Sequence, residues 1–416
     1  MPRKRHDARA RDIRYRFRTP AFELIFRWVL GLQTSGGSEI GEAFYAASLV
    51  TENDSQSWVT AWTRVARQVE RRAEHALAAG HAVSAREAYL RAYVYNRAAL
   101  LCMDPLAASA EPTLHHAVDC FRRSAVLMDP VAEPLTVPCD DAKLPGYFVA
   151  PADGRAKRRT LIMIGGGDTC VEDLYLMIGP AAVRRGYNLL IVDLPGQGGL
   201  PFDGVYMRPD AENQIPAIVN YALRRPEVDA EGLAAYAISD GGYLLCRALS
   251  AEPRIRAAAI CRILASFHAS MTQPPMSERL ARNPDSLLAK AIVRVLNLRP
   301  SLILMDVYAW RWGARRYADM LDIRHDVTLE PAAITCPLLT IVGEKEYTSG
   351  ALSGGFSGDA APSSLSSQSR LVILGASDGG TVHAMATNLS LMAQLVFDWL
   401  DEVLPAQPRM RPRVPL

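Results

Sequence analysis

The sequence predicts an α/β protein: a mostly parallel β-sheet with helices on both faces, preceded by a helical domain. Three observations carry this expectation. Short apolar runs of strand length alternate with helical patterns from about Leu135 onward, and glycine-rich turns close several of them. The stretch before them, over 22–128, shows the three- and four-residue apolar spacing of helices and no strand of comparable strength.

In the helical stretch Trp58, Trp62, Val65, Ala66, Val69, Ala73, Ala76 and Leu77 fall on one helix face, and Gly80 stops that helix. Ser84 and Glu87 fit a capping box, so a second helix is expected to start there and to carry Tyr89, Tyr93 and Leu100. At Leu135 the texture changes: LTVPC, a turn with Asp140 and Asp141, and PGYFVAP read as a hairpin at the edge of a sheet. TLIMIGGG (160–167) and NLLIVDLPGQGG (188–199) each pass from a buried strand into a glycine loop, whereas GLAAYAISDGGYLL (232–245) reads as strand, sharp turn and helix. AAAICRILA (257–265), PLLTIVGE (337–344) and RLVILG (370–375) are further strands, and LMAQLVFDWLDEVL (391–404) is an amphipathic terminal helix. The expected limits are a basic flexible leader over 1–20, the helical domain over 21–134, the sheet-bearing core over 135–404 and a tail over 405–416. An insertion over about 268–331, carrying Trp310 and Trp312, has the size and place of a helical lid above the strand ends. An ordinary crossover helix with a long loop is the alternative. The Gly/Ser-rich stretch 348–369 is expected to be a mobile loop.

With 416 residues, 49% hydrophobic and 22% charged, the chain has the composition of a globular protein and not of a collagenous, disordered or coiled-coil one. Lys and Arg (46) nearly balance Asp and Glu (44), and the resulting net charge of +2 argues against nucleic acid or a membrane surface as partner. The basic N-terminus reads as a solvated tail. The 7 cysteines are scattered without a CxxC pair or histidines at zinc spacing, so neither a metal nor a disulfide framework is expected. With no signal sequence and no apolar run of about 20 residues, the expectation is a cytoplasmic protein with free thiols.

The sharpest chemical signal is AISDGG at 237–242, between a strand and a helix. A nucleophile elbow needs small residues two positions either side of its serine, because the chain folds back too tightly for larger ones. Ala237 and Gly241 meet that need around Ser239; the plainer reading is a serine that caps the helix. Glu346 follows a later strand and His383 follows the last one, so the order Ser239, Glu346, His383 is that of α/β-hydrolases. Glu344 and Asp378 are the substitutes for the acid, and a solvated loop acid or a structural histidine is the plainer reading of each partner. The glycines of IGGGDT suit close approach to a developing oxyanion, with the amide of Asp240 as one donor and that of Gly167 or Asp168 as another. The same loop lacks the lysine of a P-loop and the GxGxxG spacing, so no nucleotide cofactor is expected. Of the aromatic residues, Tyr93, Tyr95, Trp310 and Trp312 are the candidates for substrate contact, against ordinary packing.

GGGDTCVEDL, DLPGQGG, the SDGG elbow and His383 before FDWLDEVL resemble the α/β-hydrolase group that contains 2,6-dihydroxypseudooxynicotine hydrolase and the fungal yellowish-green heptaketide hydrolase. GGSEIGEAFYAA, QSWVTAW and GHAVSAREAYLRAYVYNRAA are similar to that family's N-terminal domain, so the resemblance runs from about Phe22 to Leu404. It departs at Ala237, where the family has Gly, at Glu346, where it usually has Asp, and in the 348–369 loop. The resemblance implies a helical domain closing over a Ser-His-acid site, often in a homodimer, and cleavage of a C–C bond beside a carbonyl or shortening of a polyketide. The expected activity is therefore cofactor-independent hydrolysis of an aromatic or polyketide-like small molecule. The alternatives are the same site used for cyclisation or acyl transfer, and a binding protein that keeps only the fold.

Overall fold

The computed structural model of the chain describes residues 13–139, 142–151, 157–208, 210, 214–261, 286–287, 292, 299–315, 319–320, 333–348, 366–379 and 383–405. Most of the expected lid insertion, most of the 348–369 loop and the turn at Asp140 and Asp141 lie outside the described residues.

The N-terminal part holds α1 (Pro20–Gly31), α2 (Ile40–Ser48), α3 (Ser55–Ala78), α4 (Ala82–Leu100) and α5 (Ala110–Ala125). Asp54 starts α3 by accepting the N–H groups of Gln56 and Ser57, two of the donors a helix start leaves without intrahelical partners. The expected capping box of Ser84 and Glu87 is corrected: α4 begins two residues earlier at Ala82, with His81 as its N-cap. Gly80, at φ 80°, turns the chain at once, and the Ala85 N–H bonds the His81 carbonyl, so Ser84 and Glu87 fall inside the helix. The expectation of a flexible leader is also corrected for residues 13–19. The carboxylate of Glu23 accepts the N–H groups of Tyr15, Arg16 and Phe17, and that of Glu52 accepts those of Arg18 and Thr19. Phe17 is buried against Phe22, Phe26 and Trp58.

The sheet-bearing part comprises β1 (Ala132–Cys139), β2 (Ala142–Val149), β3 (Arg158–Ile164), α6 (Val171–Arg184), β4 (Asn188–Val192), α7 (Gln214–Arg224), β5 (Val228–Ile238), α8 (Asp240–Leu249), β6 (Ala257–Cys261), α9 (Arg299–Arg311), β7 (Leu338–Gly343), α10 (Glu344–Thr348), β8 (Arg370–Leu374) and α11 (Leu389–Val403). The eight strands lie in the order β1-β2-β4-β3-β5-β6-β7-β8. β1 pairs with β2 and β2 with β4 antiparallel, and every other pair is parallel. The hairpin thus occupies one sheet edge, and β3 to β7 are largely buried on both faces, which is why they read as apolar runs, whereas β8, at the opposite edge, is mostly exposed.

Alternate side chains of one strand enter different cores. Leu161 and Met163 of β3 join the cluster that holds α6 and α11, whereas Ile162 and Ile164 join the one that holds α7 and α8. The first cluster is continuous with the helical domain: Trp58, Trp62, Val94 and Phe121 share it with Leu189, Ile191 and Tyr236 of the sheet. The two parts therefore rest on one apolar interior. Among the described residues no helix is long and apolar enough to cross a membrane.

Candidate active site

β5 passes into α8 through Ser239, which stands at φ 53° and ψ −128°. Positive φ in a residue with a side chain costs on the order of 1–3 kcal/mol and is kept where the surroundings enforce it. Here they do: Ala237 is wholly buried, the Ser239 N–H bonds the Cys261 carbonyl at 3.0 Å, and a Cβ on Gly241 would overlap the carbonyl of Gly165. Those small residues let the elbow close, and Ser239 is presented at the carboxyl end of a central strand.

His383 meets it there. Its Nε2 is 2.9 Å from Ser239 Oγ and its Nδ1 is 2.9 Å from Glu346 Oε1. A carboxylate accepts only, so the Nδ1–H donates to Glu346 and Nε2 is left to accept the serine proton. Glu346 sits in the short helix α10, directly after β7, and is 5% exposed, which keeps water from competing for the contact. The substitutes are placed elsewhere. Asp378 accepts the N–H of Gly375 in its own turn, and Glu344 lies exposed at the start of α10. Ala384 and Met385, immediately after His383, stand at φ 55° and 51°, so the histidine segment is as sharply folded as the elbow it faces.

Above the serine runs the glycine loop. A Cβ added to Gly166 would come within 2.7 Å of Ser239 Cβ, and one added to Gly167 within 2.7 Å of Asp240 Oδ2. Glycine is required at Gly166, because Ser239 Cβ is fixed by its backbone, whereas at Gly167 an added Cβ would press on the ends of the Tyr308 and Asp240 side chains. The amide of Asp240 is at the positive end of α8, where a developing negative charge is favoured. Asp168 is exposed, and its carbonyl accepts from Arg97 Nη2 at 2.9 Å. Gly166 was not singled out from the sequence, where nothing separates it from its two glycine neighbours.

Two buried arginines brace the site from parts of the chain remote in sequence. Arg97 of α4 reaches Asp173 in the first turn of α6 at 2.7 Å, and the same carboxylate takes the Tyr93 hydroxyl at 2.5 Å and the Cys170 N–H at 3.1 Å. Arg311 of α9 donates to the carbonyls of Gly196 at 2.9 Å and Gly198 at 3.4 Å in the second glycine loop. Burial pushes the carboxyl of Asp193, in that loop, well above its usual range, and raises Glu172, next to Asp173, to about 7. The Tyr308 hydroxyl, also from α9, hydrogen-bonds the Asp240 carboxylate.

The four aromatic candidates for substrate contact are not brought to Ser239. Tyr93 is spent on Asp173, while Tyr95, wholly buried, donates to Glu42 at 2.9 Å and accepts the Glu39 N–H. Trp312 is buried in the second core, and Trp310 packs on Phe202 at 4.5 Å. Among the described residues, Tyr308 is a ring that does lie beside the elbow, against Asp240 and Gly167, and only its place in the fold distinguishes it from other tyrosines. One group of potential metal ligands, Glu70, His116 and Cys120, gathers between α3 and α5, remote in sequence from the Ser239 constellation. Glu70 Oε2 and His116 Nε2 are 2.8 Å apart and hydrogen-bond one another.

Residues 42–290 match the family model of FrsA-like esterases. Over 409 residues the chain is 29% identical to the 20-hydroxy-prefusarin hydrolase of Gibberella moniliformis, covering 92% of this chain and 97% of that one. It is 31% identical over 273 residues to an α/β hydrolase of Xenoacremonium sinensis and 34% identical over 257 residues to one of Aspergillus fumigatus. Those two matches span 64% and 58% of the relatives' own lengths. Among solved structures, 2,6-dihydroxy-pseudo-oxynicotine hydrolase superposes with a TM-score of 0.62 at 18% identity, over 90% of this chain and 95% of that one. AbyA5 superposes with a TM-score of 0.58 at 17% identity, covering 90% and 96%. Both likenesses cover 90% of this chain and so take in its helical N-terminal part as well as its sheet.

Proposed function

Because the chain belongs to the FrsA-like esterase family and has the α/β-hydrolase fold, we propose that it is a serine hydrolase that cleaves a bond beside a carbonyl in an aromatic or polyketide-like small molecule. The observation that carries the proposal is the continuous line Ser239 Oγ, His383 Nε2, His383 Nδ1, Glu346 Oε1, both links at 2.9 Å.

Ser239 Oγ attacks the substrate carbonyl while its proton passes to His383 Nε2. The Glu346 carboxylate holds the imidazole in the receptive tautomer and stabilises the imidazolium. The carbonyl oxygen, now an oxyanion, lies against the amides of Asp240 and Gly167. When the tetrahedral adduct collapses, the bond to the leaving carbon, oxygen or nitrogen breaks, and that atom takes the proton back from His383. Water, deprotonated by the same nitrogen, then attacks the acyl-serine, and the carboxylic acid is released with Ser239 reprotonated. The name of one relative, 20-hydroxy-prefusarin hydrolase, favours hydrolysis over the cyclase and acyl-transfer alternatives.

The test is steady-state turnover of an activated aryl ester and of an aryl β-diketone, the second reporting C–C cleavage. Ser239→Ala and His383→Ala are each expected to lower turnover of both by at least about 10³-fold with the fold intact. A folded Ser239→Ala enzyme that keeps most of its activity would end the reading; cleavage of the ester but not the diketone would confine it to acyl-oxygen chemistry.

A further inference from the structure

We propose that Gln197 is a positioning residue that holds the Gly166–Gly167 peptide with its N–H turned into the catalytic site. The proposal rests on the serine-hydrolase reading above. Gln197 lies in the PGQGG loop after β4 and is wholly buried. Its side-chain amide is fixed at both ends: Oε1 accepts the Leu194 N–H at 2.8 Å, and Nε2 donates to the carbonyls of Gly165 at 2.6 Å and Gly166 at 3.0 Å. The hydroxyl of Thr169 donates to that same Gly166 oxygen at 3.1 Å. One carbonyl is therefore held by two buried donors.

A trans peptide is planar, with its oxygen and its N–H on opposite sides. Clamping the Gly166 oxygen on the Gln197 side turns the Gly167 N–H to the opposite side, where Gly166 overlies Ser239 and Gly167 adjoins Asp240. Among the described residues no group accepts the N–H of Gly166 or Gly167. A buried donor kept without a partner is costly, and an oxyanion would satisfy it. Glycine is needed at Gly166 for close approach, yet a Gly-Gly peptide has little steric resistance to turning over. A flipped peptide would present a carbonyl to the oxyanion. Gln197 opposes that flip, and the Leu194 contact keeps its NH₂ end facing the loop.

The test compares the wild-type chain with Gln197→Glu, which puts an acceptor opposite both carbonyls, and Gln197→Met, which removes the donors at similar volume and without charge. Turnover of the aryl ester is measured together with inhibition by an aryl trifluoromethyl ketone, which forms a tetrahedral adduct on the serine. Either folded variant is expected to lose about 10²-fold in kcat, the range for one oxyanion donor. KM should stay within threefold, the ketone's inhibition constant should weaken by a factor matching the loss in kcat/KM, and the pH dependence of kcat/KM should keep its midpoint. Thr169→Val should lose less, about tenfold, because Gln197 still holds the oxygen. A folded Gln197→Met enzyme with wild-type kcat and ketone inhibition overturns the proposal alone. Wild-type activity in Ser239→Ala overturns the parent reading, and this proposal with it.

Discussion

Replacing Arg97 by Met tests how firmly the helical domain is tied to the catalytic core. The Arg97 and Asp173 side chains are 2% and 4% exposed and meet at 2.7 Å, so removing the guanidinium leaves a buried carboxylate without its countercharge. Breaking such a pair costs about 3–5 kcal/mol. Asp173 keeps the Tyr93 hydroxyl and the Cys170 N–H, which places Arg97→Met at the lower end, about 3 kcal/mol. With a urea slope of roughly 3 kcal/mol/M, the unfolding midpoint should fall by about 1 M. Arg97→Met/Asp173→Asn should recover about 1–2 kcal/mol, because no lone charge remains. Turnover should not recover with it. The Asp168 carbonyl still lacks its donor in the double variant, and misplacement of the glycine loop by about 1 Å costs on the order of 10²-fold. Urea unfolding followed by tryptophan fluorescence, alongside turnover of the aryl ester, gives both numbers. An Arg97→Met protein within about 0.5 kcal/mol of wild type would refute the reasoning, since that is the size of an exposed pair.

Glu346→Gln should lower kcat by about 10³- to 10⁴-fold with little change in melting temperature, while Asp378→Asn stays near wild type, read by steady-state kinetics. The reverse pattern would move the acid to Asp378. Burial raises Glu172 from 4.5 to about 7, so the neutral form is favoured in the folded state. Its contribution to stability is full below 4.5 and is lost as pH rises toward and through about 7. The difference is worth on the order of 3 kcal/mol. Glu172→Gln should therefore gain on wild type in urea midpoint from pH 5 to pH 8, and a constant difference would contradict this. Gly31→Ala at the end of α1 should cost about 1–3 kcal/mol in the urea midpoint and reduce turnover, because the added Cβ would overlap the Ala386 carbonyl in the segment that carries His383. Unchanged turnover would show that this segment tolerates displacement.

What the sequence made legible was local. Strand-length apolar runs and the small residues around Ser239 depend on neighbours a few positions away, and short-range patterns record them; Glu346 and His383, the latter 144 positions from Ser239, were legible because each follows a recognisable strand. The false capping box at Ser84 and Glu87 shows the limit of such patterns, because Gly80 and His81 open α4 before the motif is reached. The site's supports were not legible for a different reason. Arg97 acts 71 positions from Asp168, and Arg311 acts 115 positions from Gly196. Nothing near either arginine marks it as other than a surface charge. The aromatic residues misled because a helix face rich in Trp and Tyr looks alike whether it lines a pocket or fills a core. Here it fills a core continuous with that of the sheet, so a chain cut before about Leu135 would uncover apolar surface such as the Tyr147 ring of β2 that Phe121 packs on.

The most direct test of the central claim is covalent. The full-length chain is incubated with a fluorophosphonate, and the adduct is located by intact mass and peptide mapping, with Ser239→Ala and His383→Ala in parallel. The account predicts one adduct on Ser239, absent from Ser239→Ala and formed at least about 10²-fold more slowly in His383→Ala. A folded wild-type protein that gives no adduct, or gives it on another residue, would contradict it.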